Sequence, residues 1–168
     1  EQVFTVLPDP RSEVTVSEMK KQFDFVNKIN ETVDKAHQGI KNIRIINHKL
    51  ETFESTYGDL EKTKAIIEKV KSLKELFSTI EKALYQTQNK SNQDPLNFPI
   101  RLTNKLGHLN RHVTTNDFPP TDQDEAVRIF LTKEVEKLLL QYSKLVEEDL
   151  EIFNKMFAAL KLDYLTLK

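Results

Sequence analysis

The chain has 168 residues, the length of about one domain, and its 25 Lys and Arg nearly balance its 26 Asp and Glu. The sequence has no cysteine, which excludes a disulfide framework, a thiolate metal site and a cysteine nucleophile. A net charge of −1 argues against a general nucleic-acid-binding protein, and three glycines cannot supply a glycine-rich phosphate loop.

Residues 1–14 are predicted to form a strand-like arm ahead of the helices. Residues 2–7 are rich in β-branched and aromatic side chains, and Pro8 and Pro10 end this pattern. A single strand is not stable by itself. Two interpretations therefore stay open: the strand ends a preceding β-domain, or it is an ordered arm packed on the helices.

Residues 15–168 are predicted to form one helical bundle domain. The first helix begins at Thr15 or Ser17, because Thr15 and Glu18 fit a capping box. Apolar residues then recur every seven positions as far as Gly58, which predicts a helix of about 40 residues. The two rows are Met19, Val26, Val33 and Ile40, and Ile29, Ala36, Ile43, Leu50 and Tyr57.

The second long helix is predicted to begin directly after Gly58. Asp59 is its expected N-terminal cap, and the helix is expected to end near Thr87, before a polar stretch. Because the link at Gly58 is short, the first two helices are predicted to be antiparallel neighbours.

A short helix and a third long helix complete the predicted fold. The connection over residues 88–121 contains apolar residues spaced as in one short amphipathic helix (Leu102, Leu106, Leu109 and Val113). The last helix follows Thr121 and is expected to end at Leu160 or Leu162, with Leu131, Leu138, Leu145, Ile152 and Ala159 in one apolar row. The predicted fold class is all-α, an elongated antiparallel bundle of three long helices and one short helix.

Few side chains of the predicted helices suggest chemistry. His108 and His112 are one turn apart and could share a metal ion, but no third ligand is recognisable, which favours two surface histidines. Asp149 falls in an apolar row, where a carboxylate is costly unless it is paired. A paired charge that sets helix register, or an apolar row that is open to solvent at that level, is favoured there over a catalytic acid. The sequence predicts no catalytic residue, no metal site and no cofactor.

The most specific part of the sequence lies in the connection after the second helix. Residues 85–106, above all the stretch QDPLNFPIRL from Gln93 to Leu102, together with residues 6–11 and 22–24, resemble the C-terminal region of a family of large secreted bacterial proteins. These proteins, common in Bacteroidetes, are described as glycosyl hydrolases with BNR (Asp-box) repeats or as sortilin-like propeller proteins. The resemblance covers nearly all of the chain.

The resemblance implies a non-catalytic role for this chain. In the family, a propeller and a small β-domain precede the helical region, and glycosidase chemistry would belong to the propeller. The chain has no tryptophan and no Asp-box, so no propeller catalytic residue corresponds to a position here. The resemblance implies a secreted, periplasmic or cell-surface location. The sequence itself shows no recognisable signal peptide and no apolar run long enough for a membrane span.

The candidate site residues lie in the loop of residues 88–101: Asn89, Asp94, Asn97, Phe98 and Arg101. In one interpretation they order the loop, through hydrogen bonds to its backbone and through the packing of Phe98. In the other they form a docking surface for the preceding propeller or β-domain, a glycan or a protein. The leading prediction is therefore a structural or interaction domain. The alternative is a carbohydrate- or protein-binding module that uses the 88–118 loop.

Overall fold

The computed structural model describes residues 2–7 and 9–162, and its secondary structure over these residues is helical. The prediction of an all-α fold is confirmed. The α-helices are α1 (Val16–Tyr57), α2 (Lys64–Leu84), α3 (Leu102–Val113), α4 (Asp122–Lys144) and α5 (Leu150–Ala159). Two short 3₁₀ turns precede α2 and α3 (Glu61–Thr63 and Asp94–Leu96), and a π turn joins α4 to α5 (Leu145–Asp149).

The N-terminal arm forms no strand within residues 2–7 and 9–14. Val3 is 97% exposed and Leu7 is 79% exposed, and the apolar side chains between them are similarly exposed. The interpretation of an arm packed on the helices is therefore wrong. Asp9 closes a tight turn after the arm, since its carboxylate accepts hydrogen bonds from the Arg11 backbone (2.9 Å) and guanidinium (2.7 and 3.0 Å). These bonds lower the pKa of Asp9.

The predicted limits of α1 are confirmed, whereas those of α2 are corrected. The Thr15 hydroxyl accepts from the Glu18 N–H (3.3 Å), and the Glu18 carboxylate accepts from the Thr15 N–H (2.8 Å), so the capping box is present. Asp59 does not cap α2, because a 3₁₀ turn intervenes and the Thr63 hydroxyl instead donates to the carbonyls of Tyr57 (2.5 Å) and Leu60 (2.7 Å). The helix also ends three residues before Thr87, since the backbone turns extended at residue 85.

Two helices, α2 and α3, lie end to end along α1, and both run opposite to it. As α1 proceeds, its partners on α2 occur earlier in the chain, and α3 meets the N-terminal half of α1. The contacts that fix this arrangement are Arg44 with Glu81 (2.7 Å), Glu54 with Lys74 (3.0 Å) and Asn30 with Asn110 (2.9 Å).

The last part of the chain runs parallel to α1. Thr32 and Thr132 lie 3.4 Å apart through their hydroxyls, and the rings of Phe53 and Phe153 meet edge to face with centroids 5.5 Å apart. Both pairs are separated by 100 residues, so α4 and α5 lie beside α1 and run in the same direction. Three columns of helix result: α1, α2 with α3, and α4 with α5.

The π turn shifts one predicted apolar row by one residue. Ile152 and Ala159 were predicted to face the core, but Ile152 is 49% exposed and Ala159 is also exposed. Their neighbours Phe153 and Leu160 pack on the core instead. The widened turn contributes one residue more than an α-helical turn, and the row therefore resumes one position later.

The core runs between the three columns over most of the length of α1. The row predicted on α1 is buried as expected: Ile29, Ala36, Ile43 and Leu50 are each 2% exposed or less. Other fully buried side chains come from every column: Ile66, Val70, Leu73, Phe77, Leu84, Leu106 and Val135. Burial of each such side chain stabilises the fold by about 1.5–3 kcal/mol, which makes this packing the main stabilising contribution.

Candidate functional site

Asp94 orders the loop between α2 and α3. Its carboxylate accepts hydrogen bonds from the Lys90 N–H, the Ser91 N–H (2.8 Å) and the Ser91 hydroxyl (2.8 Å). These bonds stabilise the ionised form and hold the pKa of Asp94 below its usual range. This geometry matches the loop-ordering interpretation of Asp94.

Gln86 joins the two ends of the same loop by hydrogen bonds, a role that the sequence does not predict. It is only 4% exposed. Its side-chain amide donates to the Pro99 carbonyl (2.7 Å), and its amide oxygen accepts from the Gln88 N–H (3.0 Å). Because a buried amide is costly unless it is bonded, both bonds hold Gln86 in place. A glutamine just beyond the last apolar residue of a helix carries no signal of such a role.

The other four predicted site residues are placed differently from Asp94. Asn97 is exposed at the end of a 3₁₀ turn, and Phe98 is half-buried. Among the described residues, Asn89 Oδ1 and Arg101 Nε are both shielded from solvent and have no hydrogen-bond partner. The Arg101 N–H donates to Asn104 Oδ1 (3.3 Å) at the start of α3.

Arg101 lines a small cavity at the base of the loop. The cavity has a volume of about 260 Å³, and its other lining residues are Lys82, Gln86, Thr87 and Gln88. Within the described part of the chain, neither Lys82 nor Arg101 forms an ion pair. Two cationic side chains therefore border one polar cavity whose walls Gln86 holds in place.

Of the other residues singled out in the sequence, His112 and Asp149 each lie beside a side chain that can carry the opposite charge. His112 Nε2 lies 3.7 Å from Asp124 Oδ1, while His108 is exposed on α3. Residues 2–7 and 9–162 contain no group of three or more side chains able to hold a metal ion. Asp149 lies 2.5 Å from the ammonium of Lys69, as the paired-charge interpretation predicted.

A basic groove lined by residues of α1 is a second feature that the sequence analysis does not predict. Its cationic and histidine residues recur at helical spacing (His37, Lys41, Arg44, His48 and Lys49). Asp34 lines one end of the groove, and no further carboxylate occurs in the sequence before Glu51. The groove is open, with a volume of about 840 Å³. Ile45, 50% exposed, also lines it. The near-zero net charge of the chain conceals this local excess of positive charge.

Arg44 is held in position within the basic groove. Its guanidinium pairs with Glu81 of α2 at 2.7 Å and lies over the ring of Tyr85, 5.5 Å from the centroid. The ring of His37 meets the ring of Tyr85 edge to face, with centroids 6.0 Å apart. The end of α2 therefore fixes part of the groove on α1.

Comparison with known proteins found no match to a family model, a curated protein or a solved structure. Across the described residues, every helix is too short or too polar to cross a lipid bilayer. In the described part of the chain, the basic groove on α1 and the cavity beside Arg101 are both lined by positively charged side chains.

Proposed function

We propose that the chain is a non-catalytic interaction domain whose basic groove on α1 binds an acidic protein surface. The observation that carries the proposal is the row of five cationic and histidine residues on one side of α1, where Asp34 is the one lining carboxylate among the described residues. Charge complementarity makes an acidic surface the fitting partner. Ile45 adds an exposed apolar centre to this charged rim, the usual arrangement of protein interfaces.

The fixed position of Arg44 supports binding at this groove. Arginine and tyrosine dominate the residues that contribute most to protein interfaces, and here Arg44 lies over Tyr85 before any partner binds. A side chain already held in one conformation loses less entropy on binding. Within the described residues, Lys41 and Lys49 have no ion-pair partner, so a partner's carboxylates can engage them without breaking an existing pair.

The carboxylates with shifted pKa values support a non-catalytic role. Hydrogen bonds from Thr15 and Thr121, the caps of α1 and α4, lower the pKa of Glu18 and Asp124. Local ion pairs or turns account for the shifts of Asp9, Asp94 and Glu125. A catalytic acid or base instead needs a shift produced by a cleft or by a reacting partner.

The sequence resemblance suggests what the acidic partner is. We infer that the chain is the C-terminal domain of a secreted BNR-repeat or sortilin-like propeller protein, and that the groove docks on the preceding propeller or β-domain. The exposed apolar side chains of Val3, Phe4, Val6 and Leu7 support this proposal. A strand that completed a neighbouring β-domain would bury alternate members of this run.

The test uses the parent protein truncated before Arg11, with this chain added in trans. Calorimetry would measure binding of the chain and of its Lys41→Glu/Lys49→Glu variant at two salt concentrations. We expect the variant to bind at least tenfold more weakly, because it opposes like charges across the interface. The matched control is Lys133→Glu/Lys144→Glu on α4, which changes the net charge equally and should bind as the unmodified chain does. Equal affinity of the two variants would reject the groove as the interface.

A second candidate function is a carbohydrate- or protein-binding module that uses the 88–118 loop. The polar cavity at the base of this loop favours it, because long ordered loops often carry function. Backbone NMR with a glycan panel tests it. Saturable shifts confined to residues 88–118 would support this candidate, and unchanged signals across the panel would count against it.

A further inference from the structure

The cavity beside Arg101 has fixed walls. The side-chain amide of Gln86 hydrogen-bonds to both the Pro99 carbonyl (2.7 Å) and the Gln88 N–H (3.0 Å), so that the two ends of the loop are joined at its base. Thr103, at the start of α3, is buried and donates to the Leu84 carbonyl at the end of α2 (3.0 Å). The ends of the two helices that border the cavity are thereby connected.

Within the described residues no ion pair compensates the charge of this cavity, and the carboxylate of Glu134 belongs to a neighbouring cavity that Arg101 also lines. Among the described residues, Arg101 Nε is shielded from solvent and has no acceptor, although a guanidinium always carries its positive charge. Buried donors are normally bonded, and an unpaired charged donor is especially unfavourable. Lys82 brings a second positive charge to the same cavity, and neither it nor Arg101 forms an ion pair in the described part of the chain.

The size and donor set of the cavity indicate the kind of acceptor that fits. Its 260 Å³ far exceeds the roughly 30 Å³ that one water molecule occupies, so a tetrahedral anion has room in it. A guanidinium offers a planar fork of donors and an ammonium offers a point charge, a combination suited to the several oxygens of a phosphate or sulfate. Thr87 also lines this cavity.

We propose that this cavity binds a tetrahedral oxyanion, a phosphate or sulfate group, between Arg101 and Lys82. The amide of Gln86 is already committed to Pro99 and Gln88, so Gln86 shapes the site rather than binding the anion. The site lies on the loop between α2 and α3 and uses none of the residues of the basic groove. Its test is therefore independent of the proposed protein interface.

The experiment titrates the isotope-labelled chain with inorganic phosphate, with inorganic sulfate and with glucose 6-phosphate, at ionic strength held constant with chloride. Amide shifts at residues 86–88 and 101, together with the Arg101 Nε–H signal, report binding. We expect saturable shifts that Lys82→Gln and Arg101→Gln each weaken at least tenfold. The matched control is Lys90→Gln, a loss of one exposed positive charge from the same loop outside the cavity lining, which should leave binding unchanged.

The three anions separate the possible sources of the group. Saturation by the inorganic ions alone would identify a free-ion site, and tighter binding of glucose 6-phosphate would identify a phosphate monoester as the ligand. Shifts that rise linearly with every anion, or that persist unchanged in both variants, would overturn the proposal. Lys82 is exposed on α2, and its variant therefore tests the site even where Arg101→Gln lowers the stability of the fold.

Discussion

Lys69 Nζ lies 2.5 Å from Asp149 Oδ1, which links the first half of α2 to the π turn between α4 and α5. The two side chains are only 22% and 32% exposed, so both charges are largely removed from water. Each charge then depends on the other for compensation. The pair lies at the π turn, after which Phe153 rather than Ile152 faces the core.

Removal of one partner of this pair should destabilise the fold. We expect Asp149→Ala to lower the free energy of unfolding by about 1–3 kcal/mol, because Lys69 would remain partly buried without its acceptor. Urea denaturation measures this loss. The double variant Lys69→Met/Asp149→Leu should recover most of it, since an apolar pair of similar size needs no compensation.

A second ion pair, within the neighbouring helix α5, provides the control for Asp149. Lys155 and Glu151 lie 3.5 Å apart on α5, and both side chains are more than half exposed. Lys155→Ala should change the free energy of unfolding by less than about 0.5 kcal/mol, as exposed pairs usually do. An Asp149→Ala variant no less stable than Lys155→Ala would show that the Lys69 pair contributes nothing.

The glycines of α1 and α3 should respond oppositely to alanine. A Cβ at Gly39 would lie 2.8 Å from Leu139 Cδ2 on α4, whereas a Cβ at Gly107 meets nothing within 4 Å. Gly107→Ala should therefore stabilise the protein by about 0.5–1 kcal/mol through helix propensity alone. At Gly39 the displacement of Leu139 offsets that gain, and we expect a net loss of about 1 kcal/mol.

A double-mutant cycle tests the cause of the loss at Gly39. In a Leu139→Ala background the crowding is removed, so Gly39→Ala should become stabilising there, as Gly107→Ala is in the unmodified chain. Thermal unfolding of the four proteins measures the coupling. A Gly39→Ala substitution that destabilised both backgrounds equally would place the conflict elsewhere than at Leu139.

The sequence predicts those parts of the fold that depend on local pattern. The row on α1 that includes Ile29 and Ile43 is buried because heptad spacing alone places it on one face. The π turn leaves no such signal, and the row therefore passes from Leu145 to Phe153 instead of to Ile152. One extra residue within a turn changes which side chain faces the core, without changing the local composition.

In the candidate site, too, contacts between neighbours in the sequence can be predicted, whereas contacts between distant residues cannot. The bonds of Asp94 reach residues three and four positions away, within the range of an ordinary turn motif, so a loop-ordering role was open to prediction. Gln86 bonds to Pro99, thirteen residues away, and the cavity beside Arg101 forms only when α2 and α3 meet end to end. Such contacts depend on tertiary packing, which no local spacing specifies.

The capping box at the start of α4 should have a measurable effect. The Thr121 hydroxyl accepts from the Asp124 N–H (3.2 Å), and Asp124 accepts from the Thr121 N–H (2.9 Å). We expect Thr121→Ala to cost about 1 kcal/mol, the usual effect of losing a helix N-cap, and to lower the melting temperature by roughly 2–4 °C. Thr114→Ala serves as control, because that hydroxyl only donates to carbonyls at the end of α3. Equal melting temperatures for the two variants would contradict the prediction.

The hydrogen bonds that the Asp94 carboxylate accepts from Lys90 and Ser91 should be lost in acid. Three hydrogen bonds to its carboxylate lower the pKa of Asp94 in the folded loop. A carboxyl whose folded pKa is lower than its unfolded pKa stabilises the fold fully above the unfolded value, about 3.9 for aspartate. This contribution is lost as the pH falls through the folded value. The hydrogen-exchange protection of the Lys90 and Ser91 amides should therefore be high at pH 6 and should decrease below about pH 4.

The variant Asp94→Asn tests whether the hydrogen bonds of the Asp94 carboxylate, rather than other contacts, order the loop. The amide retains one acceptor oxygen but loses the charge, so the Lys90 and Ser91 amides should exchange faster at pH 6 and lose their dependence on the ionisation of residue 94. Asp117→Asn, in the exposed connection before α4, should leave both amides unchanged. If Asp94→Asn kept the protection of the unmodified chain at pH 6, the Asp94 carboxylate would not be what holds the loop. The bonds of Gln86 to Pro99 and Gln88 would then have to maintain its conformation alone.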